Sequence, residues 1–131
     1  GTRRFTLAND GTASFTGTVI APAFTQASSA RFKDNIRTIG EPEELVNQLR
    51  GVRFNWKDSG QSALGFIAEE IQQVLPEAVT VDTESGAANA VNYSEIIPVL
   101  LEALKAQSAK LQSLTSEVIE LRARVEKLPA Q

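Results

Sequence analysis

Ser28 and Lys33 stand five residues apart in Gln26-Ala27-Ser28-Ser29-Ala30-Arg31-Phe32-Lys33. A serine hydroxyl is a useful nucleophile at neutral pH only when a base removes its proton. The 131 residues contain no histidine and no cysteine, so a lysine is the natural candidate for that base. A lysine accepts a proton only in its neutral form, and a free one titrates near about 10.4. Burial away from water lowers that value by up to ~3–5 units. Phe32 beside Lys33, with Trp56 or Phe66 brought overhead, is the expected apolar wall. Taken alone, the pair is weak evidence, because a serine and a lysine five apart are common by chance. A solvated linker serine with a surface lysine is the plainer reading, so the pair's surroundings must decide.

Composition narrows the alternatives. Without thiols there are no disulfides and no zinc–thiolate sites. Without histidine the usual catalytic triads and most transition-metal sites lose their ligands, and no cofactor is expected. No Gly-x-x-x-x-Gly-Lys loop is present to hold a nucleotide. A net charge of −3 and a pI near 5.0 give no electrostatic reason for nucleic-acid binding. No apolar run approaches the ~20 residues of a membrane span, and no stretch reads as a signal peptide. Glu69-Glu70 are adjacent helical acids, which point apart and read as solvated.

The elements that must position the pair differ on its two sides. Before it, Arg3-Arg4-Phe5-Thr6-Leu7 alternates and stops at the turn signal Asn9-Asp10-Gly11. Ala13-Ser14-Phe15-Thr16 and Thr18-Val19-Ile20-Ala21 follow as further extended pieces, the last stopped by Pro22. Such strands are too short to bury a core alone. They read either as a hairpin on the following domain or as the last strands of a larger β structure.

After the pair, Asp34–Gly40 is extended and turn-like. A helix opens at Pro42 with Glu43 and Glu44 in its first turn, where acids suit the dipole. Leu45, Val46 and Leu49 form its apolar face, and Gly51 is the expected stop. Val52-Arg53-Phe54-Asn55-Trp56 alternates strictly, so a strand should bury Val52, Phe54 and Trp56. Lys57–Gly60 is a turn. Ala68–Leu75 is a short helix ended by Pro76, with Ile67, Ile71, Val74 and Leu75 on one face. Ala78–Val81 and Ala90–Tyr93 read as strands around a loop at Thr83–Gly86. Ser94 is the expected N-cap of the last helix, which would place Pro98 in its first turn.

That last helix carries heptads. With Ile97 at a, Leu104, Leu111, Val118 and Val125 are also a, and Leu100, Gln107, Leu114, Leu121 and Leu128 are d. Nine of the ten positions are apolar, which meets the coiled-coil criterion. A helix over 95–128 is roughly 50 Å long, too long for a body of about 60 residues to cover. The seam therefore calls for other copies of itself, with Gln107 as a register-fixing polar layer. Leu101 at e widens the apolar face where the helix should meet the small domain, and Glu117 and Arg122 at g and e suit pairing between helices.

Several segments together resemble a known family. Ser28-Ser29-Ala30-Arg31-Phe32-Lys33-Asp34-Asn35-Ile36 is similar to the opening motif of self-cleaving intramolecular chaperone domains. These lie at the C-termini of phage tailspikes and tail fibres, with the endosialidase chaperone as prototype. The resemblance continues at Val52–Trp56, at Gly65–Glu70 with Leu75-Pro76-Glu77, at Val91–Ser94, and at Ile97–Lys105. Ser29 stands where the family usually has Asp, and Glu69 where it often has Gln. The spacing to the lysine favours Ser28 over Ser29 as the family's serine.

The resemblance implies an α+β fold: a small mixed domain, then a long helix forming a trimeric coiled coil. It implies a homotrimer whose folding client is the parent fibre's β structure, with no nucleic acid and no membrane as partner. Ser28 is then the nucleophile, Lys33 the base and Ala27–Ser28 the scissile bond. Residues 1–27 become the end of the fibre, 28–94 the globular chaperone and 95–131 the coiled-coil helix. The precursor would be made in the bacterial host cytoplasm and the chaperone part released after maturation. A non-cleaving trimeric foot of a viral adhesin is the structural alternative. Relatives that release membrane-tethered transcription factors fit less well, since neither a basic DNA-binding segment nor a span is visible.

Overall fold

In the computed structural model, which describes residues 5–130, the chain forms two units, Gly1–Ile36 and Arg37–Gln131. Arg3 and Arg4, part of the first expected strand, lie outside the described residues. The first unit holds one antiparallel hairpin, β1 (Phe5–Leu7) with β2 (Ala13–Phe15). Phe5 pairs with Phe15, their rings 5.0 Å apart. Gly11 takes φ +87° in the turn, and the Thr12 N–H donates to the Asp10 carboxylate at 2.9 Å. The expected third piece, Thr18–Ala21, is not a strand. None of the described residues of this unit is buried, because two three-residue strands offer too little apolar area to close a core.

The second unit has the core. α1 (Pro42–Gln48) is followed by the hairpin β3 (Val52–Asn55) and β4 (Ser62–Gly65). Then come α2 (Ala68–Val74), the hairpin β5 (Val79–Val81) and β6 (Ala88–Val91), and α3 (Tyr93–Glu126). The architecture is α+β. Ile71 of α2, fully buried, meets Ala78 and Ile96, with Leu49, Phe66, Leu75, Val79 and Val91 packed around them. Ile67, Val74 and Leu75 flank Ile71 as expected, and Leu45 and Val46 of α1, with Leu49 just past its end, are half-buried.

Local chemistry moved several expected boundaries. α1 ends at Gln48 because Leu49 is already extended (φ −81°, ψ 142°), so no glycine is needed to stop it. β4 was not anticipated: Ser-Ala-Leu-Gly carries little strand propensity. Its pairing with β3 follows from the Lys57–Gly60 turn, where Gly60 adopts φ +68°. Trp56 lies just past β3 and is more than half exposed, its ring edge-on to Phe54 at 5.1 Å, rather than inside. Pro76 does more than end α2, since it opens a 3₁₀ turn over Pro76–Ala78 that delivers Ala78 to the core. α3 begins one residue before Ser94, so Asn92 is the N-cap. Ser94 Oγ instead donates to Asn92 Oδ1 at 2.7 Å. Pro98 therefore lies inside the helix, where it has no N–H for the carbonyl of Ser94.

The start of α3 is fastened to the hairpin through Tyr93. Its hydroxyl accepts from the Phe66 N–H at 3.0 Å, and the two rings lie 5.6 Å apart. Gly65 makes this possible. A Cβ there would collide with the Tyr93 hydroxyl and come within 3.3 Å of Phe54. Gly65→Ala is expected to expel the tyrosine and cost about 1–3 kcal/mol through the lost hydrogen bond and overpacking. Urea unfolding of the variant alone and with Tyr93→Phe checks this. If the hydroxyl contact is the cause, the two effects will fall well short of additive.

An ion pair joins the link after α1 to α2: Arg50 forks onto Glu70, with Nε to Oε2 at 3.2 Å and a second, shorter contact from Nη2 to Oε1. Hydrogen bonding from Arg50 holds the Glu70 carboxyl below its ordinary range. A carboxyl lowered on folding contributes stability above its unfolded pKa and loses it as pH falls through the folded value. The wild-type advantage in melting temperature over Glu70→Gln should therefore be present at neutral pH and shrink on acidification below the usual carboxylate range. An advantage independent of pH would contradict the pairing.

Candidate catalytic dyad and assembly seam

Fully extended, five residues would separate Ser28 from Lys33 by about 16 Å. The chain instead makes a 3₁₀ turn over Ala30–Phe32, with the Phe32 N–H donating to Ser29 O and the Lys33 N–H to Ala30 O, both at 3.0 Å. Ser29 before the turn and Lys33 after it are extended. This shortening brings the side chains together: Lys33 Nζ donates to Ser28 Oγ at 2.8 Å. The same contact with the proton on the hydroxyl and a neutral amine is the reach required of a general base. Ser29 lies at the head of the turn, and Ala27 immediately precedes the serine.

The pair is exposed on this chain. Phe32 is largely open as well, its ring covered on one side by the Arg31 guanidinium at 4.6 Å. This gives Arg31 a partner that sequence reading did not anticipate. Trp56 and Phe66, the other expected wall residues, belong to the second unit, where Trp56 meets Phe54 edge-on and Phe66 lies tilted against Tyr93. Asn35 follows with φ +53°, a left-handed turn that asparagine tolerates better than most residues.

The second constellation is α3. Its inward stripe is Ile96, Val99 and Ala103, at spacings of three and four that place them on one face. α1 packs along this part of the helix, and Glu43 in its first turn meets Lys110. Leu101, expected to serve this contact, is 54% exposed. The core-facing residues are instead the g and c positions of the heptads. The seam positions point elsewhere. Ile97, Leu100, Leu104, Leu111, Leu114, Leu121, Val125 and Leu128 are exposed together with Val118, over a range from 46% (Val118) to 67% (Leu128), although α3 ends at Glu126 and so leaves Leu128, the last expected seam residue, two residues past the helix. Gln107 is exposed too, as is every later residue of the helix. About 30 Å of helix thus carries an apolar stripe with no cover from the other described residues.

Part of the sequence is similar to that of known proteins. Residues 28–80 match the family described as chaperone of endosialidase, so the match begins at the serine of the pair. The long tail fiber protein Gp37 of Enterobacteria phage K3 is 30% identical over 106 residues, covering 76% of this chain and 8% of the relative. The protein of the same name from Enterobacteria phage T2 matches to the same extent. The chain therefore spans only about 8% of the length of these relatives.

Proposed function

We propose, for a chain whose residues 28–80 match the family described as chaperone of endosialidase, that it is the self-releasing C-terminal chaperone of a phage tail fibre. It trimerises through α3, holds three fibre ends in register while their β structure folds, and then cuts itself away at Ala27–Ser28. The observation that carries this reading is the Lys33–Ser28 hydrogen bond at the first residue of the family match.

The chemistry follows from the serine's place just after the scissile bond. Lys33, neutral, takes the Ser28 hydroxyl proton as Oγ attacks the Ala27 carbonyl carbon through a five-membered ring. The C–N bond breaks, the proton passes to the departing Ser28 amine, and Ala27 is held as an ester on Oγ. Water then hydrolyses the ester, leaving a carboxylate on Ala27 and a free Ser28 N-terminus. We assign the backbone amides of Ser29 and Ala30, at the start of the 3₁₀ turn, as the candidate donors for the oxyanion. Nucleophile and carbonyl are tethered, so folding sets their effective concentration and no substrate pocket is needed.

The exposure of the pair on a single chain supports a further step: cleavage waits for assembly, which provides the apolar cover a neutral lysine needs. One cut per chain suffices, and no cofactor enters. A denaturing gel separates this reading from that of a non-cleaving adhesin foot. A fragment beginning at Ser28 supports release, while a stable full-length chain supports the foot.

A further inference from the structure

An open groove of about 970 Å³ lies on the second unit, between the β3–β4 hairpin, the start of α2 and strand β6. Phe54, Trp56, Leu64, Phe66, Val91 and Tyr93 give it an apolar lining, with charged side chains confined to Lys57, Asp58 and Glu69. Three of these lining residues are too exposed for a satisfied surface: Leu64 at 70%, Trp56 at 54% and Tyr93 at 50%. A contiguous exposed patch of large apolar side chains marks an interaction surface. The scarcity of converging polar groups argues against a small polar ligand.

The register of α3 identifies the occupant. Carried back four residues from Ile97 at a, the heptad places Tyr93 at d, so Tyr93 belongs to both the seam and the groove wall. The apolar stripe on the helix therefore continues onto the globular part, and whatever pairs with the seam is delivered to the groove. We propose that the groove is the docking surface for a second copy of this chain, which extends the trimer contact from the helices onto the globular parts. This rests on the trimeric reading above. In it, Tyr93 has two tasks: its hydroxyl is fixed by Phe66, and its exposed ring face meets the neighbour.

Trp56 is the only tryptophan of the sequence and reports on the groove directly. The 131-residue chain carrying Ser28→Ala, which stays one species, is studied by sedimentation equilibrium and by acrylamide quenching of fluorescence. In the trimer, quenching should fall by roughly threefold or more relative to a monomeric seam variant such as Leu111→Asp, as water is excluded from an interface centre. Leu64→Arg, on the exposed face of β4, should weaken assembly by about tenfold or more while leaving the far-ultraviolet circular dichroism unchanged. A trimer with Trp56 still open to acrylamide and indifferent to Leu64→Arg overturns the groove proposal and leaves the trimer standing. Equal shielding in the monomeric variant also overturns it, since the cover would come from within one chain. A chain monomeric at all concentrations overturns both.

Discussion

Ser28→Ala and Lys33→Ala should each yield a full-length chain that still assembles but is never cut. Loss of the nucleophile removes the ester route altogether, and loss of a positioned base typically slows such a step by about 10²–10⁴. Lys33→Arg is the more discriminating change. It keeps the positive charge and the capacity to donate to Ser28 Oγ, but a guanidinium does not give up its proton in proteins. If Lys33 only holds the turn together, the arginine variant will cleave; if it is the base, cleavage will stop. Ser29→Ala should process normally, because the contact to Lys33 is made by Ser28. Time courses on denaturing gels, with sedimentation to confirm that each variant assembles, read all four outcomes.

The second large effect is expected from the seam. Leu111 lies beyond the stretch of α3 on which the globular part is built, and it is exposed on the single chain. Leu111→Asp should therefore spare the fold while placing a charge in each of three facing positions. Removing one packed leucine costs about 2–5 kcal/mol, and an unpaired carboxylate in an apolar seam adds to that. Multiplied across three chains, this is enough to leave monomers at ordinary protein concentrations. Cleavage should fail in the same variant, since the dyad then has no cover. Monomers that cut at the normal rate would separate catalysis from assembly and contradict that link. Gln107→Leu should act in the opposite direction, raising trimer stability while relaxing register.

The sequence made some of this plain and hid the rest, for identifiable reasons. Long, strongly periodic signals carried through: the heptads of α3, the Ile67–Leu75 face of α2 and the Asn9-Asp10-Gly11 turn are each fixed by local spacing. What failed depended on tertiary partners. β4 exists because β3 is beside it, and nothing in Ser62–Gly65 announces a strand by itself. Trp56 continued an alternating pattern and so was expected inside, but β3 ends at Asn55 and a two-stranded hairpin has no second layer over its end. The inward stripe Ile96, Val99 and Ala103 was overshadowed by the louder seam beside it. Gly65 and Tyr93, 28 residues apart, look unrelated until the close approach of hydroxyl and backbone explains both. At the site, the five-residue spacing of Ser28 and Lys33 was weak by itself, and the resemblance of the surrounding segments singled the pair out. The 3₁₀ turn that joins them has no sequence signature of its own.

The most direct test is N-terminal sequencing, with intact mass, of the C-terminal fragment released from a longer chain that includes upstream fibre sequence. Cleavage by Ser28 and Lys33 requires a single new terminus reading Ser-Ser-Ala-Arg-Phe-Lys and an N-terminal product ending at Ala27. A terminus elsewhere, or a trimer that remains full length, would contradict self-release at this serine.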